Sequence, residues 1–195
     1  MNQSGFEPYL YGMVSKMAVQ VTDLVEAAAT GDEAAFTELV SRHHRDMQRV
    51  AYVICRDPGL AEDSAQSAWA IAWRRMGDVK DATQIRGWLV AVAANEARRT
   101  MRSRRPSVHE ISVGDVELEG IPDFRSDPLA DGIAVADLRR VLAILDPTDR
   151  ALIALRYVAE LSSDEIGRAL GMSPSGARGR LSRLLLRLRG ELRDA

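Results

Sequence analysis

Arg178, Arg180, Arg183, Arg187 and Arg189 crowd into one stretch near the end of the chain, SPSGARGRLSRLLLRLR, interleaved with small residues and leucines. A guanidinium can grip guanine through two parallel hydrogen bonds or hold a phosphate oxygen, and small neighbours such as Gly179 and Ser182 let a groove come close. The chemistry this spacing offers is recognition of double-stranded DNA. At roughly 100° per residue, Ser175, Arg178, Gly179, Ser182 and Arg183 fall on one helical face. Ala177, Leu181, Leu184, Leu185, Leu188 and Leu192 form the opposite stripe, flanked by Arg180 and Arg187. The leucine stripe packs inward, which leaves the arginine face to a partner.

The elements that must position those arginines are also written locally. Ser162 followed by Glu165 is a capping box, opening a helix with Ile166, Ala169 and Leu170 on one face. Gly171 ends that helix, Ser173 is a good N-cap, and Pro174 suits the first position of the next one. A helix, a tight turn and a second helix carrying the outward arginines make a helix-turn-helix. A merely solvated basic face would not need the cap, the glycine turn and the arginines in one place.

Other chemistries find little to work with. His43, His44, His109 and Cys55 are the obvious metal-type ligands, but adjacent histidines point to different helix faces, and no C-x-x-C or H-E-x-x-H is present. There is no G-x-S-x-G and no glycine-rich phosphate loop. Neither a catalytic nor a metal site is expected, and no cofactor. The single cysteine, Cys55, cannot form an internal disulfide, which suits a reducing compartment. No apolar run is long enough to span a bilayer and no secretory signal is visible, so a cytoplasmic location without membrane insertion is expected.

The 195 residues are 46% hydrophobic and 28% charged, an ordinary globular composition that can bury a core. A net charge of -2 rules out a generally basic coat. The charge is segregated instead. Arg98, Arg99, Arg102, Arg104 and Arg105 form one basic end, the last helix forms another, and acids dominate between them.

Periodic segments are helical almost throughout, which predicts an all-α fold: two small helical domains joined by a flexible acidic linker, the second with the helix-turn-helix. Residues 1–21 read as an irregular leader. The first domain, 22–105, should hold three long helices. Asp32 caps one lined by Phe36, Leu39, Val40, Met47, Val50, Ala51 and Ile54. The next starts near Leu60, with Glu62 and Asp63 in its first turn, where acids suit the helix dipole. After the loop Gly77–Thr83 the third carries Ile85, Trp88, Leu89, Val92 and Ala93. Residues 106–132, broken by prolines and glycines and rich in acids, form the linker. The second domain, 133–195, opens with a helix through Leu138, Val141, Leu142 and Leu145, breaks at Pro147, and runs through Leu152, Leu155 and Tyr157 into the helix-turn-helix.

This organisation resembles the group IV, or extracytoplasmic-function, bacterial RNA polymerase sigma factors of the sigma-70 family. Ala61-Glu62-Asp63, Gln66 and Ala72-Trp73-Arg74 resemble the family's AEDLVQETFLRAWR segment, and Arg86-Gly87-Trp88-Leu89 with Ala93-Ala94-Asn95 resembles FRAWLYRIARN. In the second domain Leu155-Arg156-Tyr157, Glu165-Ile166, Leu170-Gly171 and Arg178 with Arg180-Leu181 are similar to LRY, EIA, LG and GTVKSRL. Ser64 and Ser67 stand where the family usually has an aliphatic and an acid, a departure that bears on the polymerase contact; Ser175, Gly176, Ala177 and Gly179 replace the usual Gly, Thr, Val and Ser, so promoter specificity does not transfer from a relative.

The resemblance implies that the protein binds core RNA polymerase through its beta and beta-prime subunits, directs it to promoter DNA, and answers to an anti-sigma factor. It assigns the −35 element to Ser175, Arg178, Gly179, Arg180, Ser182 and Arg183. The −10 element falls to the loop residues Asp78, Val79, Lys80 and Asp81, together with Trp88, Asn95, Arg98, Arg99 and Arg102. Trp88 is either a wedge against the last base pair or plain core. Polymerase binding falls to Glu62, Asp63, Gln66, Trp69 and Trp73, the two tryptophans being either core or polymerase contacts. The linker is either a solvated tether or a mimic of the transcript in the polymerase's RNA channel. A stand-alone helix-turn-helix repressor, which would bind a palindrome as a dimer without polymerase, is the alternative.

Overall fold

Local capping chemistry starts nearly every element. The computed structural model describes residues 20–103, 140 and 142–193, and all regular structure among them is helical. Residues 20–29 are helical (α1), so residues 20 and 21, expected as part of the leader, belong to helix. Gly31, at φ 95°, turns the chain into Asp32, whose carboxylate accepts from the Ala34 and Ala35 amides and caps α2 (Glu33–Cys55). Arg56 closes α2 in the left-handed region, its N–H donating to the Tyr52 carbonyl at 2.7 Å.

Asp57 caps α3 (Pro58–Arg75) through the Leu60 amide, with Pro58 at its first position. The helix therefore begins two residues before the expected Leu60. Glu62 and Asp63 leave the first turn, which holds no acid, and the dipole role foreseen for them does not apply. The expected loop tightens into two 3-10 turns, Met76–Asp78 and Ala82–Gln84, leading into α4 (Ile85–Ser103).

In the second half the expected break falls at Leu145 and Asp146, after helical residues 142–144, and Pro147 restarts the helix. Asp146 accepts from the Thr148 and Asp149 amides and caps α5 (Pro147–Ile153), which runs on as a π-helical turn, Ala154–Val158. The helix-turn-helix is α6 (Ser163–Leu170) and α7 (Pro174–Arg193). The leader up to residue 19, the linker 106–132 and the helix start at Leu138 and Val141 lie outside the described residues.

Helices α2, α3 and α4 pack around Leu39, Met47, Ile54, Met76, Ile85 and Leu89, all fully buried. The same apolar core continues without a break into Leu152, Leu155 and Ile166 of the second half. Each such side chain contributes about 1.5–3 kcal/mol by leaving water. The two halves were expected as separate domains on a tether; here they also share a core. A smaller cluster, Leu145, Leu184 and Leu188, seats the far half of α7.

Candidate nucleic-acid and polymerase interfaces

The helix-turn-helix is built as its local signals indicate. The Glu165 carboxylate accepts from the Ser162 amide at 2.8 Å and hydroxyl at 2.6 Å, while the Glu165 amide donates to Ser162 Oγ at 3.3 Å. Those two Ser162 donors hold the Glu165 carboxyl below its ordinary pKa. Gly171 ends α6 at φ 70°, a conformation that glycine adopts without steric cost. Ser173 Oγ accepts from the Gly176 amide at 3.0 Å and starts α7. Close approach is required one turn back: a Cβ on Gly167 would lie 2.7 Å from the Met172 carbonyl oxygen.

On α7, Ala177, Leu184 and Leu188 are buried, with Leu181 and Leu185 half-buried beside them. Ser175, Arg178, Ser182 and Arg183 are exposed on the other side, and Gly179 is half-buried between them. Arg180 departs from its expected place among the base readers. Its Nε donates to Asp149 Oδ1 at 2.7 Å and its Nη2 to Asp146 Oδ2 at 3.2 Å. Arg187 reaches the other oxygen of the same, buried Asp149 at 3.1 Å. A carboxylate buried at the start of α5 needs cationic partners, and these two arginines flank the apolar stripe closely enough to supply them.

The residues expected at the −10 element are spread over several environments. Asp78 pairs with Arg75 at 2.8 Å, and Lys80 is exposed. The Asp81 carboxylate caps the second 3-10 turn, accepting from the Thr83 amide and hydroxyl and from Gln84 Nε2; these bonds, the Thr83 hydroxyl foremost, lower its pKa. Val79 and Trp88 are partly buried against the core. Asn95 and Arg98 stand together on α4: Arg98 Nη1 donates to Asn95 Oδ1 at 3.0 Å, and Nη2 to Thr148 Oγ1 at 3.3 Å. Burial, then the nearby Arg102 and Arg180, draws the Arg98 pKa down from the usual arginine value. Arg99 and Arg102 are exposed at the same end of the helix.

Of the residues expected to meet polymerase, Asp63 and Gln66 are exposed on α3, and Glu62 is half-buried. Glu62 gathers Gln66 Nε2 at 2.8 Å, Gln48 Nε2 at 3.0 Å and His44 Nε2 at 3.4 Å. Trp69 is 7% exposed and donates to His44 Nδ1 at 3.2 Å, so of its two expected places, core or polymerase contact, it takes the core. Trp73 is 37% exposed, its ring 4.7 Å from that of Phe36. Phe36 and the Glu62–His44–Trp69 chain were not foreseen as parts of this face, because they join α2 to α3 across the packing interface. Among the described residues no group of acids, histidines or cysteine is placed to hold a metal ion, and no helix is long and apolar enough to cross a membrane.

A three-helix unit with an exposed polar face on α3, followed by a helix-turn-helix with a free arginine face, is the two-part layout of a promoter-recognition factor. Residues 39–106 match the family described as Sigma-70 region 2, and residues 136–188 match Sigma-70, region 4. The chain belongs to the sigma-70 family, in its extracytoplasmic-function group. It is 31% identical to the RNA polymerase sigma factor CarQ of Myxococcus xanthus over 86% of this chain and 97% of CarQ. It is also 30% identical to the probable RNA polymerase sigma factor RfaY of Xanthomonas campestris pv. campestris, covering 85% of this chain but only 42% of RfaY. The fold is similar to that of CnrH, solved in complex with the cytosolic domain of CnrY: TM-score 0.65, 24% identity, covering 90% of this chain and 98% of that one.

Proposed function

We propose that this chain is the promoter-specificity subunit of a bacterial RNA polymerase: it binds the core enzyme, reads −35 and −10 elements, and promotes opening of the duplex. The observation that carries the reading is the occurrence, in one chain and in order, of the two sigma regions, with the arginine face of α7 left open. A repressor needs only the second region.

Region 4, residues 136–188, reads the upstream element as duplex. Arg178 and Arg183 reach base edges or phosphates, Ser175 and Ser182 add hydrogen bonds on the same face, and Gly179 admits the groove. Arg180 acts indirectly, by fixing the rotation of α7 against Asp149 and Asp146. Region 2, residues 39–106, captures the non-template strand of the −10 element. Extruding a base costs a few kcal/mol, which hydrogen bonds from Asn95 and the 77–83 loop offset. Arg98, Arg99 and Arg102 neutralise phosphate. Asp63 and Gln66, with the Trp73–Phe36 edge beside them, form the surface for core polymerase.

The role is binding rather than catalysis, and it is exercised in the cytoplasm, where the polymerase works. CnrH was solved with the cytosolic domain of another protein, and an anti-sigma factor is the corresponding partner inferred for this chain. The deciding experiment is run-off transcription with core polymerase and promoter fragments. Transcripts that require both this chain and the promoter support the reading; tight binding of the free chain to a palindromic duplex, with no opening on adding core, would replace it with the repressor.

A further inference from the structure

Glu62 stands where the packing seam between α2 and α3 reaches the face offered to polymerase. Its Oε1 accepts from Gln66 Nε2 at 2.8 Å, one turn further along α3. Its Oε2 faces α2 instead, taking Gln48 Nε2 at 3.0 Å, with His44 Nε2 at 3.4 Å. His44 is in turn fixed from the interior. The indole N–H of the buried Trp69 donates to His44 Nδ1 at 3.2 Å, and a buried N–H of that kind requires an acceptor. Nδ1 therefore keeps its lone pair, which leaves the proton of the neutral imidazole on Nε2, the nitrogen beside the carboxylate. Phe36 closes the seam, its ring edge-on to Trp69 at 5.5 Å and to Trp73 at 4.7 Å.

A glutamine on a helix surface ordinarily samples several rotamers, and ordering such a side chain at an interface uses up part of the binding energy. Gln66 is exposed, yet its amide is tied to a carboxylate whose other oxygen is held from a second helix. With Nε2 committed to Glu62, Gln66 turns its carbonyl oxygen outward. We propose that His44 and Gln48 are positioning residues for polymerase binding: from α2 they hold the Glu62 carboxylate, and through it they preset the Gln66 side chain without touching polymerase themselves. The inference rests on the reading of Gln66 as a polymerase contact. Trp69 anchors the chain, so a tryptophan buried in the core still has a part in docking.

The test is a double-mutant cycle on core affinity, carried out with the full-length chain. His44→Phe keeps an aromatic ring in the seam but removes both nitrogens; Gln66→Ala removes the side chain that is positioned. Affinity for core polymerase is read by fluorescence titration for the wild type, each single variant and the pair, with circular dichroism and urea midpoints to follow the fold. His44→Phe is expected to weaken core binding roughly fivefold, the cost of one more side chain to be ordered on association, and to have no further effect in the Gln66→Ala background. His44→Gln, whose amide carries both an acceptor for Trp69 and a donor for Glu62, should recover most of the loss. If His44→Phe loses helicity, Gln48→Met, which removes the other α2 donor to Glu62, takes its place in the cycle with the same expectation. An equal loss with and without Gln66 overturns the positioning role, because a defect that acts through the fold or through a separate polymerase contact multiplies with the loss of Gln66. Full affinity of a folded His44→Phe overturns it as well. If Gln66→Ala alone leaves core affinity unchanged, it is the reading of this face that fails, and the positioning role falls with it.

Discussion

The Asn95 amide bridges two partners at once, donating to the Ala169 carbonyl at 2.9 Å and accepting from Arg98 at 3.0 Å. One of those partners is its neighbour on α4; the other lies 74 residues away, at the end of the first helix of the helix-turn-helix. The side chain proposed above to meet an extruded base thus also helps, beside Arg86 and Arg98, to join the two sigma regions, and its substitution should act on both.

Asn95→Ala is expected to lower transcription from duplex promoters and to leave it low on a template with a pre-melted −10 bubble, because base capture is lost as well as unpairing. Substitutions at Asp78 or Lys80, if they affect unpairing alone, should be partly rescued by the bubble. Permanganate reactivity of −10 thymines, with and without core polymerase, reads the opening directly. Full rescue of Asn95→Ala by the bubble would remove it from strand capture.

Arg178→Ala and Arg183→Ala should each weaken −35 recognition. A base-contacting pair is worth about 1–3 kcal/mol of discrimination. Holoenzyme carrying either variant is compared on a wild-type promoter and one with a scrambled −35 element. If both keep the full preference, this face does not read bases.

Asp63→Ala with Gln66→Ala should reduce affinity for core polymerase by on the order of 1 kcal/mol or more, without loss of helicity. Both side chains are exposed on α3, so the fold does not depend on them. Fluorescence titration against core, beside a circular dichroism spectrum, checks this; unchanged affinity in the folded double variant would exclude the pair from the interface.

Glu165 makes the helix-turn-helix acid-sensitive. Its carboxyl titrates below the ordinary value of 4.5 because the Ser162 hydroxyl and amide donate to the ionised form. A depressed folded pKa means that this stabilisation is complete above the unfolded value and is lost as the pH falls through the folded one. Glu165→Gln should therefore destabilise the protein at pH 7 and narrow its difference from wild type as the pH is lowered past that window, measured by urea midpoints. Ser162→Ala, which removes the cap itself, should cost about 1 kcal/mol. A constant gap between Glu165→Gln and wild type across the acid range would show that the ionised carboxylate contributes nothing.

What could be read from the sequence was what is decided within a few residues. Ser162 with Glu165, Gly171, Ser173 with Pro174, and Asp32 each satisfy backbone groups near themselves in the chain, so their identity and spacing suffice to place helix ends. The alternation of Ala177, Leu184 and Leu188 with Arg178 and Arg183 likewise separates the buried from the open side of α7 by period alone. The break expected at Pro147 falls at Leu145 and Asp146, and Pro147 itself opens α5, the position in a helix where its missing N–H costs nothing. Trp69 stood between core and polymerase contact because resemblance marks a helix and not which of its faces is covered; Phe36 and His44 of α2 cover it. The ties between Arg180 and Asp149, or Asn95 and Ala169, join positions 31 and 74 residues apart, and no local pattern encodes such pairs.

Asp149 also sets how the protein responds to ionic strength. By drawing Arg180 and Arg187 into internal pairs, it partly neutralises two guanidiniums that would otherwise be free to replace counterions condensed on a phosphate backbone. Each phosphate neutralised steepens the fall of log K with log salt by about 0.9. The arginine-rich helix proposed to meet DNA thus offers fewer unpaired guanidiniums than its sequence suggests. The expected consequence is a shallower dependence of DNA binding on salt than the arginine count alone would give.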